Sequence, residues 1–250
     1  EPELLSRHMK QRRRDGVRVN LNHLGEAILG ENESERRLNM YLNDLANPEV
    51  EYISIKISTI FSQLSLLGWE DTLNTLNVRL KRLYRAAKEN FYTLPDGTKV
   101  PKFINLDMEE YRDLNLTVTL FKTVLDDAEF YQHSAGIVLQ AYLPDAFLFQ
   151  QDLTVWAMQR VNNGGAPIKI RIVKGANLAM EQVESALKGW PQAPYHDKAS
   201  TDANYKRMLV YASKPERAQA VHIGVGSHNL FDISYAMLIR AEKGIEEYMS

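Results

Sequence analysis

Four side chains in this sequence sit where chemistry could be done: Lys56, Asp107, Gln140 and Arg171. Each closes or interrupts a short run of branched apolar residues, and each falls on the side away from the isoleucines and leucines. In Tyr52–Ser58, Ile53, Ile55 and Ile57 point one way, and Ser54, Lys56 and Ser58 the other. In Phe103–Asp107, Ile104 and Leu106 oppose Asn105 and Asp107; in Gly136–Tyr142, Ile137, Leu139 and Ala141 oppose Val138, Gln140 and Tyr142. In Ile168–Lys174, the three isoleucines oppose Lys169 and Arg171. Burying such charges costs several kcal/mol unless they are paired or bound to a ligand. A polar strand face of this kind therefore reads as the wall of a ligand cavity. An internal ion-pair network, Lys56 or Arg171 with Asp107, is the structural alternative.

The elements that would position these groups alternate regularly. Two further β-branched runs, Gly16–Leu21 and Val221–Gly226, bring the predicted strands to six. Helical spacing fills the intervals: Glu33–Ala46, Leu73–Phe91, Tyr111–Leu125, Asp145–Arg160, Ala203–Tyr211 and Asn229–Ala241. Strand alternating with helix predicts βαβ units and a parallel sheet. Strands apolar on one face only disfavour a doubly wound open sheet, whose strands are apolar throughout. The expectation is an α/β fold, a (βα)₈ TIM-like barrel occupying residues 1–250 as one domain, with about six βα units present and the closing units missing. Loops are expected over Thr93–Pro101, around the turn Pro95-Asp96-Gly97, and over Gly189–Ser200. The last helical segment is expected to run to Ser250, leaving the edges of the first and sixth strands unpaired.

Composition excludes several classes. There is no cysteine, hence no disulfide, thiolate metal site or cysteine nucleophile. The net charge of −2 gives no global attraction to nucleic acid. The basic run Arg7, His8, Lys10, Arg12, Arg13, Arg14 has no interleaved aromatic residues and reads as a solvated helix surface. No apolar stretch of about 18 residues is present. The opening Glu1-Pro2-Glu3 shows no signal-peptide pattern and reads as the middle of a longer chain. No dinucleotide or Walker fingerprint, no catalytic-serine elbow and no metal-type histidine spacing occurs, so no metal is expected. Gly224-Val225-Gly226 lacks the third glycine of a nucleotide motif and reads as a place of close backbone approach.

Five segments, taken together and in order, resemble one family. They are Ile53-Ser54-Ile55-Lys56-Ile57-Ser58, Asn105-Leu106-Asp107-Met108-Glu109-Glu110-Tyr111, Leu139-Gln140-Ala141-Tyr142-Leu143, Ile170-Arg171-Ile172-Val173-Lys174-Gly175-Ala176 and Ser227-His228-Asn229. They resemble the proline dehydrogenases, including the proline dehydrogenase part of bifunctional proline-utilisation flavoproteins. The resemblance implies a distorted barrel with FAD at the C-terminal ends of the strands, and oxidation of L-proline to Δ1-pyrroline-5-carboxylate. It also implies electrons passed to a membrane quinone, a cytoplasmic protein with peripheral membrane contact, and an aldehyde dehydrogenase domain elsewhere in the full protein. By position, Lys56 resembles the lysine near the substrate carboxylate, Asp107 the acidic anchor of the polar network, and Arg171 the arginine beside the flavin ring. Met108, Gln140, Lys174, Gly175, Ala176, Ser227, His228 and Asn229 match flavin-contacting positions. A fixed cation such as Arg171 suits the negative charge that a reduced flavin gains.

Two departures stand out. Many relatives carry an aromatic residue where this sequence has Asn177. The family's pair of adjacent arginines for the proline carboxylate has no match after Asn229, and Arg12-Arg13-Arg14 lies at the wrong end to supply it. On residue types alone, a Schiff-base aldolase or decarboxylase using Lys56 or Lys174, or an inactive barrel fragment, stays open.

Overall fold

The computed structural model describes residues 2–23, 28 and 30–250, so Glu1 of the opening tripeptide lies outside the described residues. Along the chain run α1 (Pro2–Arg14), β1 (Asn20–Asn22), α2 (Glu31–Ala46), β2 (Tyr52–Ile55), the single turn α3 (Ile57–Ile60), α4 (Trp69–Glu89), β3 (Phe91–Thr93), β4 (Lys99–Pro101) and β5 (Phe103–Leu106). There follow α5 (Leu114–Leu125), β6 (Gly136–Gln140), α6 (Ala146–Asn162), β7 (Ile168–Val173), α7 (Leu178–Lys188), α8 (Lys198–Ala212), α9 (Pro215–Ala218), β8 (Val221–Gly226) and α10 (Leu230–Lys243). The fold is α/β with a parallel sheet of six strands, as expected. The chain divides into two compact units, residues 1–107 with 122–133, and residues 108–121 with 134–250.

In the first unit β1, β2 and β5 pair in that order, all parallel. Ile53, Ile55, Ile104 and Leu106 are fully buried there. The helix α2 buries Leu38, Tyr41 and Leu45, and α4 buries Leu76, Leu80, Leu83 and Ala87. Those intervals of three and four keep one face apolar and the rest solvated. Glu70 and Asp71 in the first turn of α4 complement its N-terminal partial charge. The basic run belongs to α1, most of whose side chains are exposed; Arg13 stacks on the Tyr92 ring at 4.7 Å and Lys10 meets Glu49 at 2.8 Å.

Three expectations are corrected in this unit. The first strand begins at Asn20, not Gly16, because Gly16 ends α1. It adopts φ 73°, and Gly16 N and Val17 N donate back to the carbonyls of Arg13 and Arg12. The second strand stops at Ile55. Lys56 leads instead into α3, and its carbonyl accepts from Thr59 N and Thr59 Oγ1, so Lys56 and Ser58 are not strand residues. Thr93–Pro101 is not all loop. The predicted turn is present, with Asp96 Oδ1 accepting from Thr98 N and Gly97 at φ 86°, but it joins the antiparallel strands β3 and β4.

In the second unit β6, β7 and β8 pair in that order, again parallel. The strand β7 alternates buried isoleucines with half-buried Lys169, Arg171 and Val173, as its sequence suggests. Burial on one face only does not extend to the other strands: β6 is buried along its whole length, and β2 and β5 from their second residue on, Ser54, Asn105 and Gln140 included. The sequence reading also missed α7, and α8 begins at Lys198, inside the expected loop, with Asp197 Oδ1 capping Ser200 N. The last helix does not reach Ser250. Gly244 ends α10 at φ 62°, and residues 248–250 lie along β8. Ile223 N donates to Tyr248 O, Val225 N to Ser250 O, and Ser250 N to Ile223 O, so the far edge of the sixth parallel strand is paired.

Candidate active site

The second unit holds most of the candidate residues, at the C-terminal ends of β6, β7 and β8. Register brings them into rows. Arg171 stands between Val138 on β6 and Gly224 on β8, and Val173 between Gln140 and Gly226. Two glycines on β8 let these side chains lie close. A Cβ on Gly224 would come within 3.1 Å of Arg171 Cβ, and one on Gly226 within 2.7 Å of Val173 Cγ1. That is the close approach expected of Gly224-Val225-Gly226.

Beyond the strand, Gly175 turns at φ 130°, a backbone that strains residues other than glycine, and a Cβ there would lie 2.4 Å from Tyr142 Cδ1. The chain thus passes flat over the Tyr142 ring, leaving Gly175 and Ala176 exposed. Burial raises the Tyr142 hydroxyl well above the ordinary tyrosine range, helped by Glu181 and Glu110. Gln140 is buried, and its Nε2 donates to Met108 O at 3.1 Å and to Glu109 O at 3.0 Å. Gln140 and Met108 are therefore brought together.

Lys174 is placed differently from a free cofactor ligand. Its Nζ meets Asp202 Oδ1 at 2.5 Å and Asp232 Oδ2 at 2.7 Å, and lies 5.7 Å from the centre of the Tyr205 ring. Burial pulls its pKa down, but the two carboxylates outweigh that and hold it above the usual lysine value. Ser227 Oγ donates to Asp232 Oδ2 at 3.2 Å and accepts from Asn229 N at 3.1 Å, so Lys174 and Ser227 share one carboxylate. Asn229 caps α10 through Phe231 N, and His228 is exposed beside it. Asp202, Asp232, Tyr205 and Glu181 were not singled out in the sequence. The only available signal was that Lys174 needs counter-charges, and those lie 28 and 58 positions further on, in α8 and α10.

Lys56 and Asp107 belong to the first unit, at the positions following the paired residues Ile55 and Leu106. Asp107 N donates to Ile55 O at 2.7 Å, which carries the pairing one residue past the strand. Asn22 Nδ2 donates to Asp107 Oδ2 at 3.2 Å. Among the described residues no group of three or more metal-ligating side chains is placed to hold a metal ion, and no helix is long and apolar enough to cross a membrane.

A family model described as proline dehydrogenase matches residues 5–249. The chain belongs to the proline dehydrogenase family. Solved structures of proline utilization A proteins agree with its fold. Proline utilization A from Corynebacterium freiburgense is 43% identical, with a TM-score of 0.92 over 99% of this chain and 25% of that one. Proline utilization A from Bdellovibrio bacteriovorus, inactivated by N-propargylglycine, is 28% identical, with a TM-score of 0.85 over 100% of this chain and 27% of that one. A mutant of the Bradyrhizobium japonicum protein, at 20% identity and a TM-score of 0.74, is alike in fold. The chain thus spans about a quarter of the length of these relatives. The six-stranded sheet and its helices match their TIM-like barrel domain. Comparison with curated proteins gave no match.

Proposed function

We propose that this chain, residues 1–250, is the barrel domain of an FAD-dependent proline dehydrogenase. It oxidises L-proline to Δ1-pyrroline-5-carboxylate within a longer, bifunctional protein that includes an aldehyde dehydrogenase domain. The support comes from the family match over residues 5–249, combined with one geometric observation: Arg171 lies against Gly224, on the strand face that ends in the exposed Gly175-Ala176 turn. Gly175 and Ala176 are small and exposed at the end of that face, which suits a flat cofactor ring, while a Cβ at Gly224, Gly226 or Gly175 would crowd Arg171, Val173 or Tyr142, so these glycines let the backbone pack closely against those side chains.

FAD, when bound, would supply the acceptor for the two electrons that leave proline together as a hydride. The chain supplies the rest. Arg171, always charged, stabilises negative charge that develops beside it. Gln140 has both amide protons engaged by backbone carbonyls, so its oxygen is the polar group it has left to offer. Met108, Gly175, Ala176, Ser227, His228 and Asn229 line the cofactor, with Lys174 holding the Ser227 turn in place through Asp232. Lys56 pairs with the proline carboxylate, and Asp107 anchors the polar network around it. The electrons pass on to a membrane quinone, and the protein is cytoplasmic with peripheral membrane contact. An aldolase using Lys174 as its amine is disfavoured, because two carboxylates keep that ammonium protonated.

The test is anaerobic mixing of the full-length protein with L-proline. The flavin absorbance, near one equivalent per chain, should bleach. Arg171→Met should bleach about 10²-fold more slowly, the scale for losing one preorganised electrostatic partner. A protein that is colourless, cannot be loaded with FAD and still oxidises proline would overturn the reading.

A further inference from the structure

The loop that follows β5 carries Met108 and is held from three directions. Gln140 Nε2 donates to Met108 O and Glu109 O, at 3.1 and 3.0 Å. Asn177 Nδ2 donates to the same Glu109 carbonyl at 2.9 Å. One turn further along α7, Glu181 Oε1 accepts from Tyr111 N at 2.6 Å. Glu181 is the buried residue of a helix otherwise largely exposed, so this contact is a main anchorage of α7. A carbonyl oxygen has two lone pairs. At Glu109 one is taken by Gln140 and the other by Asn177, which fixes the position of the loop and of the Gln140 amide together. Asn177 follows Gly175-Ala176 directly, so the two stretches proposed to touch the cofactor are tied through one side chain.

We infer that Asn177 is a positioning residue. By donating to the Glu109 carbonyl it locks the Met108 loop and Gln140 against the Gly175-Ala176 turn, and so sets the site for flavin reduction. This rests on the proline dehydrogenase reading above.

Asn177 is also the residue preceding α7, at its N-cap position, but no side-chain capping bond is formed. This gives a test that separates positioning from stability. Asn177→Ala removes the donor. Asn177→Asp keeps the shape but turns an acceptor towards an acceptor, while its negative charge favours the helix N-terminus. In the full-length protein, single-turnover flavin reduction by proline should be roughly tenfold slower in Asn177→Ala, the kinetic equivalent of one lost neutral hydrogen bond. It should be slower again in Asn177→Asp, although that variant melts at or above the temperature of Asn177→Ala. The KM for proline should move less than kcat in both. Rates that follow the melting temperatures, or rates equal to wild type in both variants, overturn the inference. If the wild-type protein itself neither holds FAD nor is bleached by proline, the functional reading has failed instead.

Discussion

Gly175 carries two constraints at once. Its φ of 130° lies where side chains other than glycine are strained, and the ring of Tyr142 occupies the space a Cβ would need. Backbone strain of this kind costs about 1–3 kcal/mol, and the ring, buried beneath, has little room to yield. Gly189 provides the control. It sits at φ 64° with no atom near its would-be Cβ. Gly175→Ala should lower the melting temperature and the flavin content together, whereas Gly189→Ala should cost about 1–2 kcal/mol of stability and leave the flavin in place. Equal losses in the two variants would show that the Tyr142 contact does not matter. The smallness of Gly175 and Ala176 was visible in the sequence. The Tyr142 contact was not, because it depends on how far the chain continues past Gln140 before it turns. Arg171 was legible because β7 alternates cleanly. Lys56 was read as a strand residue, but the strand ends a residue earlier, and Thr59 bonds back to the Lys56 carbonyl.

At the scale of elements, the C-terminus of α2 depends on a residue far along the chain. Lys102 is buried, and its ammonium donates to the carbonyl of Asn47, the residue that closes α2. A cation there suits the helix dipole, yet burial pushes its pKa down to about 8, with Asp44 opposing. The sign follows from proton binding. Between about 8 and 10.5 the unfolded chain holds this proton more tightly than the folded one, so stability rises with pH across that window. The full effect is roughly 3 kcal/mol, at 1.36 kcal/mol per pKa unit. Urea unfolding of wild type and Lys102→Met, compared at pH 7.5 and about 9.5, should show a gain with pH in wild type that the variant lacks. A parallel pH dependence in the two would assign it to other groups. The long helices were legible for a plain reason. In α4 the buried residues after Thr72 are Leu76, Leu80, Leu83, Tyr84 and Ala87, at helical intervals. The helix α7 inverts that rule. Met180, Val183 and Leu187 face outward and the buried residue is Glu181, so a search for an apolar inner face passes over it. The strands β3 and β4, three residues each, are too short to show an alternation.

At the scale of the whole molecule, the first unit is discontinuous in sequence. It takes residues 1–107 and then residues 122–133. The returning segment is well tied. Phe130 is fully buried, with its ring 5.9 Å from that of Tyr84, and His133 lies 5.1 Å from the same ring. Arg85 reaches Glu129 at 2.6 Å, and Lys81 reaches Asp127 at 2.7 Å. Losing a buried phenylalanine alone costs about 3–5 kcal/mol. A fragment of residues 1–107 should therefore unfold at distinctly lower urea than a fragment of residues 1–133, although the latter carries residues 108–121 of the other unit. Equal midpoints would mean that the returning segment adds nothing. The same discontinuity bears on how the protein is made. A ribosome releases the chain from its N-terminus at roughly 5–20 residues per second, and Tyr84 emerges well before the residues that cover it. The nascent chain must wait about 40–50 residues, a few seconds of synthesis at that rate, with this face bare. During that interval it is a natural site for a chaperone to hold.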